Sequence, residues 1–475
     1  MMGTDSLRLL ALLLGAVAFT GCATVQPQRA FDDLGATLNG RTEARVVWRT
    51  GATEDSAADH AIDSLLAMPL IPEAAVQVAL LNNRRLQATY EDLGVAQADL
   101  VQAGLLSNPV FGGGALWPLE ERGAPDLRFT VAFEFLDVFY LPLRRRIARS
   151  AYEATRLRVA ETVLGFAAQT RTAFVGAQAD AARLALQHVV VANAEATYNA
   201  ALLLREAGNI PAVDLLAEQA RFEQARLDLV RAEAQAVESR EALARRMGVF
   251  GDDAAFALAG TLPPVPVDER PEADLEARAV EASLALAAAR QDILTLGARL
   301  GLERPESLLP ELEIGGELER EGGEWEAGPE IEVVLPLFDQ GQARLARLRA
   351  ELRRKQAVYY ALGVEVRSAA RLLAARLAAA HTTARQYQTV VLPLRAELTA
   401  QTLRQYNAMQ TGVFGLLMAQ QEEVQASRRY LAALAAYWTA RTDLALLLQG
   451  GMPDLDAGML STLSGGGAPA RDAGH

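Results

Sequence analysis

The chain has 475 residues, 51% hydrophobic and 22% charged, with a net charge of −13. That composition is globular rather than disordered, and the acidic balance argues against a nucleic-acid partner. Cys22 is the only cysteine, so disulfides are excluded, and the basic residues are almost all Arg, with Lys355 the only lysine, scattered along the chain as solvated or interhelical faces.

Leu7 to Gly21 reads as a secretory signal. Arg8 supplies the positive end, and the apolar run Leu9 to Ala18 is too short to span a bilayer. It stops at Phe19-Thr20-Gly21-Cys22, which resembles a bacterial lipobox with Phe19 in place of the usual leucine. Cys22 is therefore expected to become the acylated first residue of the mature chain, and multiple acyl chains anchor stably where one does not. Residues 22–71 read as an extended lead-in. Pro72 to Leu106 reads as a helix, with Pro72 and Glu73 in its first turn, ending where Asn108-Pro109 forbids continuation.

The period then changes. Leu127, Phe129, Val131, Phe133 and Phe135 alternate with polar or small residues, Val110 to Trp117 is a partner strand, and Pro118 to Pro125 supplies the turn between them. From Leu143 to Glu206 there is no proline, and good helix formers dominate. At 1.5 Å per residue this helix would be roughly 95 Å long. The turn Ala207-Gly208-Asn209-Ile210-Pro211 follows. The returning helix carries Leu215, Phe222, Leu229, Ala236 and Leu243 at a seven-residue period, with Ala225 and Ala232 beside them. An alanine stripe lets helix backbones approach closely, as in coiled coils.

After a proline-rich linker, 251–270, the pattern restarts. Pro271-Glu272-Ala273 repeats Pro72-Glu73-Ala74; Leu312, Ile314 and Leu318 and then Ile331, Val333 and Leu335 alternate with glutamates; and Gln342 to Gln449 forms a second long hairpin. Its turn falls near Met409 to Gly412. Pro393 should kink the outgoing helix. The return carries Leu417, Val424, Leu431, Trp438 and Ala445 beside Ala419, Ala426, Ala433 and Ala440. Aligning Val213-Asp214-Leu215-Leu216 with Phe414-Gly415-Leu416-Leu417 sets an offset of 201 positions, which also puts Asn108-Pro109 on Leu309-Pro310 and Gly114 on Gly315. Two distant landmarks on one offset mark a duplication, 72–250 and 271–450, followed by a tail, 451–475, that reads as disordered. The β-hairpins occupy 109–136 and 310–337, the helical hairpins 143–247 and 342–449.

Ten-residue strands with one apolar and one polar face are what a membrane barrel requires. Local alternation alone suits a soluble hairpin as well. If the apolar residues face lipid, Glu134, Glu311, Glu313, Glu317, Glu319, Glu330 and Glu332 face the lumen or rim, opposed only by Arg128 and Arg320, and should concentrate cations. The four histidines, His60, His188, His381 and His475, are far apart and lack metal-ligand spacing, and Gly112-Gly113-Gly114 is not followed by the lysine and helix start of a phosphate loop. No enzyme, resident metal or cofactor is expected.

In its duplicated order of helix, strand hairpin, long helix, turn and returning helix, the chain resembles the TolC family of outer-membrane efflux proteins, in its lipid-anchored branch, over roughly Pro72 to Gln449. The resemblance implies a mainly α fold with a small β part: long helical hairpins forming an α-barrel tunnel in the periplasm, and four strands per protomer of a homotrimer closing a twelve-stranded barrel in outer-membrane lipid. It implies a passive duct fed by a periplasmic adaptor and an inner-membrane pump. The adaptor would dock at the turns Gly208, Asn209, Ile210 and Pro211 and Thr411, Gly412, Val413 and Phe414. The family's aspartate gate ring is absent at Leu416 to Gln421, and Asp214 and Glu218, an i, i+4 pair, are the substitute gate. Protein secretion through the same duct, or a coiled-coil periplasmic tether, are the alternatives; a tether has no use for two amphipathic strand pairs.

Overall fold

The computed structural model describes residues 25–51, 53–117, 125–269, 273–310, 312–321 and 324–455. Cys22 and the signal segment lie outside them, as do Glu311 and Pro271-Glu272. The elements in order are α1 (Pro27–Leu38), α2 (Thr53–Leu66), α3 (Pro72–Asn82), α4 (Arg84–Gln102), β1 (Val110–Leu116), β2 (Asp126–Glu134), α5 (Asp137–Glu206), α6 (Ala212–Met247), α7 (Leu275–Ala282), α8 (Leu284–Leu308), β3 (Leu312–Glu321), β4 (Glu324–Val333), α9 (Gln342–Gln386), α10 (Leu392–Asn407) and α11 (Val413–Gln449). The chain divides into two compact units, and each draws segments from both repeats.

The first unit comprises residues 1–36, 90–159 and 286–362. It holds one sheet in the order β1-β2-β3-β4, antiparallel throughout. Within the helices of the same unit, Phe31 packs edge-on against the fully buried Tyr90, ring centroids 5.2 Å apart, and the Tyr152 hydroxyl donates to Asp33 at 3.1 Å. α5 starts at Asp137, not at Leu143, and carries Pro142 within it. The Asp137 carboxylate fixes that start: it accepts from the Ser107 backbone N–H at 3.0 Å and from the Ser107 hydroxyl, and pairs with Arg144 at 2.8 Å. Burial works to raise its pKa, but these bonds outweigh it and hold the carboxyl below its usual range.

The second unit comprises 37–89, 160–285 and 363–475. Its core gathers Ile62, Leu70, Val78, Leu81, Phe174, Leu243, Met247 and Phe256. The helix expected over Pro72 to Leu106 breaks at Asn83, whose backbone is extended (φ −68°, ψ 114°). Asn83 is an N-cap: its side-chain oxygen accepts from the Arg85 and Leu86 N–H groups at 3.0 and 3.2 Å. Its Nδ2 donates to the Arg245 and Arg246 carbonyls, and Asn82 donates to those of Met247 and Gly248, so two asparagines satisfy the orphan carbonyls ending α6. Gly248 closes α6 at φ +72°, against the Asn82 backbone. The second repeat copies the joint: α7 and α8 break at Ser283, and Gly450 closes α11 at φ +103° against the Ala282 carbonyl.

Two further expectations need correction, and the site of Pro393 gains detail. The described part of the lead-in is not extended; α1 and α2 form there because Ala30, Phe31, Leu34 and Leu38, and then Ala58 and Ile62, recur at helical spacing and are buried. At Pro393, the expected site of a kink, the helix continues through the proline. A π turn over Tyr387–Val391 precedes it, and the flanking residues keep helical dihedrals, so one wider turn absorbs the missing donor and the ring. In the tail, Gly451 and Pro453 are buried and Arg376 donates to the Leu455 carbonyl at 3.1 Å, while residues 456–475 lie outside those described. Along α11 the buried stripe is Ala419, Ala426, Ala433 and Ala440, and Ala445 of the neighbouring stripe turns outward. A straight helix drifts by about 20° per heptad, which rotates a strict seven-residue stripe away from its partner.

Candidate functional site: the strand sheet and the hairpin turns

The register sorts the sheet into two faces. On one lie Phe111, Gly113 and Ala115 of β1; Leu127, Phe129, Val131 and Phe133 of β2; Leu312, Ile314, Gly316, Leu318 and Arg320 of β3; and Trp325, Ala327, Pro329, Ile331 and Val333 of β4. Arg320 is the only charged residue among the described residues of that face. Phe111, Phe129 and Trp325 stack in a row across it, with centroids 6.2 and 6.5 Å apart. Much of the face is bare: Phe111 is 70% and Val131 49% exposed. Pro329 lies on β4, the outer strand of the sheet, where proline is tolerated best.

The other face is acidic. Glu134, Glu313 and Glu332 stand directly opposite one another across three strands, with no cation in their row, and Glu330 stands opposite Gly315. Like charges in register repel, so a soluble sheet gains nothing from this row. Arg128 is the one basic residue on the face; it lies 2.7 Å from Glu317 and 3.2 Å from Glu319. Arg320, expected to oppose the glutamates, lies on the other face. Asp126, Glu321, Glu324 and Glu326 share the acidic face by register and were missed. The signal was residue parity, hidden because Trp325, Ala327 and Pro329 do not read as an apolar stripe. Gly315 is required where it stands, since an added Cβ would collide with the Val131 carbonyl oxygen.

The two helical turns are built alike. In each, a helix ends in a residue of positive φ, Gly208 at +75° and Met409 at +58°, and the next N–H reaches back five residues: Asn209 to the Leu204 carbonyl at 2.8 Å, Gln410 to the Gln405 carbonyl at 2.9 Å. This is the Schellman closure. The left-handed residue of the second turn is thus Met409, 94% exposed, and not Gly412, which sits at φ −81° as the N-cap of α11. Pro211 N-caps α6. Arg205 braces the first turn by donating to the Ile210 carbonyl at 3.0 Å, and Val213, Leu216, Phe414 and Met418 are exposed just beyond the turns.

Asp214 and Glu218 separate in environment. Asp214 is half-buried, whereas Glu218 is only 6% exposed and lines a cavity of about 220 Å³ with Arg221, Leu417 and Arg428, between α5, α6 and α11. Burial raises the Glu218 pKa, Arg221 at 3.3 Å opposes the rise, and Asp214 adds to it. Its Oε1 is buried without a hydrogen-bond partner; the Arg221 contact is an ion pair of poor hydrogen-bond geometry. Among the described residues, no three His, Cys, Asp or Glu are grouped to hold a metal ion. His381 instead uses Nε2 to bond the Pro266 carbonyl at 2.9 Å.

Known proteins match this architecture. The family model described as outer membrane efflux protein matches residues 75–249. The cobalt-zinc-cadmium resistance protein CzcC of Cupriavidus metallidurans is 26% identical over 391 residues, covering 80% of this chain and 90% of that protein. Among solved structures, a membrane protein from Pseudomonas aeruginosa matches with a TM-score of 0.67 at 21% identity, over 82% of this chain and 94% of that one. The open state of the Neisseria gonorrhoeae MtrE outer membrane channel matches with a TM-score of 0.65 at 18% identity, over 80% and 89%. At such identities the structures establish a shared fold: mainly α, with long helical hairpins and a small β part. The family match over residues 75–249 and the relative that covers four-fifths of this chain agree in one likeness: the chain is similar to outer membrane efflux proteins.

Proposed function

We propose that this protein is the outer-membrane exit duct of a tripartite efflux system and that its cargo is divalent metal cations. The observation that carries this reading is the sheet with one apolar and one acidic face. In a barrel wall the apolar face meets lipid and the carboxylates of Glu134, Glu313, Glu330 and Glu332 line the lumen, where their field concentrates cations. Among the described residues the outer edges of β1 and β4 are unpaired, and lipid does not tolerate open edges, so closure needs further copies. Three protomers giving twelve strands follow from the family resemblance. The name of the relative, a cobalt-zinc-cadmium resistance protein, favours metal ions over organic compounds and over secreted protein.

The remaining assignments belong to the same reading. Cys22 carries the lipid anchor in the outer membrane. The exposed turns at Gly208 to Pro211 and Thr411 to Phe414 receive the periplasmic adaptor, which connects to an inner-membrane pump. The duct conducts passively and performs no catalysis. Asp214 and Glu218 act near the constriction, Glu218 from within the cavity it lines rather than from an open face. The test is metal accumulation in cells deleted for this chain: intracellular zinc, cobalt and cadmium should rise and return to normal on complementation. Unchanged metal content with increased retention of an organic dye would assign the duct to organic compounds instead.

A further inference from the structure

Arg320 is out of place on its face. The register sets it directly opposite Leu127 on β2 and Trp325 on β4, with Leu318 two residues away on the same side. Glu319 and Glu321 alternate to the other face. Its guanidinium carbon lies 5.8 Å from the centroid of the Trp325 ring, its Nε is buried without a hydrogen-bond partner, and no described carboxylate forms an ion pair with it. Arg320 also stands one residue from the end of β3, at the hairpin leading to β4. The other ends of all four strands run into helices, so this end of the sheet is the one remote from the helical connections.

We propose that Arg320 and Trp325 form a binding site for the phosphate of an outer-leaflet lipid headgroup. The proposal rests on the reading of the apolar face as lipid-facing. A cation on that face is costly in the hydrocarbon and tolerated only where it reaches the headgroups, and the end of a strand is such a place. The planar fork of Arg matches phosphate in a bidentate way. Trp325 holds the guanidinium by cation–π contact and is itself suited to the interface. The stacked row Phe111, Phe129 and Trp325 offers a flat apolar floor for the acyl chains below the headgroup. The ligand class is therefore a phosphorylated glycolipid rather than a zwitterionic phospholipid, whose own ammonium already balances its phosphate.

The test uses the purified full-length protein in phosphatidylcholine nanodiscs doped with diphosphoryl lipid A, read by native mass spectrometry of the extracted protein. Wild type should retain lipid A about tenfold better than Arg320→Gln, the loss expected for one charge-assisted hydrogen-bonding group. Arg320→Lys should fall between, and Glu319→Gln, on the opposite face, should match wild type. Equal retention by wild type and Arg320→Gln, with both inserted and conducting in planar bilayers, overturns the lipid site while leaving the barrel standing. Failure of wild type to insert or conduct overturns the barrel reading and the site with it. Displacement of lipid A by inorganic phosphate overturns the commitment to a lipid.

Discussion

Two adjacent residues of β2 separate the faces of the sheet. Val131 stands opposite Phe111 and Gly316 on the apolar face; Thr130 stands opposite Gly112 and Glu317 on the acidic face. Val131→Arg would place a guanidinium against hydrocarbon near the middle of the strand, at a cost of about 2–4 kcal/mol per chain near the bilayer midplane. Three copies in one barrel raise this to about 6–12 kcal/mol, comparable with the whole stability of an ordinary domain. Thr130→Arg meets Glu317 and carries no such penalty. Outer-membrane fractions should therefore contain Thr130→Arg at near wild-type level and little Val131→Arg, measured by membrane fractionation and by resistance of the inserted trimer to denaturing gels. The reverse ranking, or equal insertion of both, would refute the face assignment.

Three other outcomes are expected. Asn83→Ala removes an N-cap and two bonds to the end of α6, about 2–4 kcal/mol in all, and should lower the unfolding temperature, with the change localised to the α3–α4 joint in hydrogen exchange. Glu218 has a raised pKa in the fold against its ordinary 4.5, so its contribution to stability is fully present below 4.5 and is lost as pH rises through the folded value. Glu218→Gln should accordingly stabilise the protein at neutral pH and remove the gain seen on acidification, measured by thermal unfolding across pH 4 to 8; unchanged pH dependence would contradict the burial. Cys22→Ser should abolish labelling by a radioactive fatty acid, since the chain holds no second cysteine, while barrel insertion persists.

Much of the fold was legible because it is local and repeated. The long helices announce themselves by composition and the absence of proline, and the duplication by one offset that aligns distant landmarks. What was not legible depends on contacts far apart in sequence. The pairing of β2 with β3, which lines up Glu134, Glu313 and Glu332, joins strands from different repeats. The break at Asn83 needs the end of α6 as its partner, so residues 72–106 alone read as continuous helix. Parity did assign the glutamates to one side of each strand, but Arg320 shows its limit, because near a turn the surrounding residues no longer alternate clearly. The i, i+4 spacing of Asp214 and Glu218 placed them on one side of α6, yet only the packing of α5 and α11 reveals that Glu218 is enclosed. The second turn reads at Met409 to Gly412 in the sequence, and its left-handed residue is Met409, where the offset from Gly208 puts it.

The central claim is that the acidic face of the sheet lines a conducting lumen. The most direct measurement is the reversal potential of the purified protein in a planar bilayer under a potassium chloride gradient, for wild type and for the combined Glu134→Gln, Glu313→Gln and Glu332→Gln variant. Wild type should prefer cations, and the variant should lose a large part of that preference, most clearly at low salt where screening is weakest. Anion preference in wild type, or a cation preference that the three substitutions leave unmoved, would contradict it.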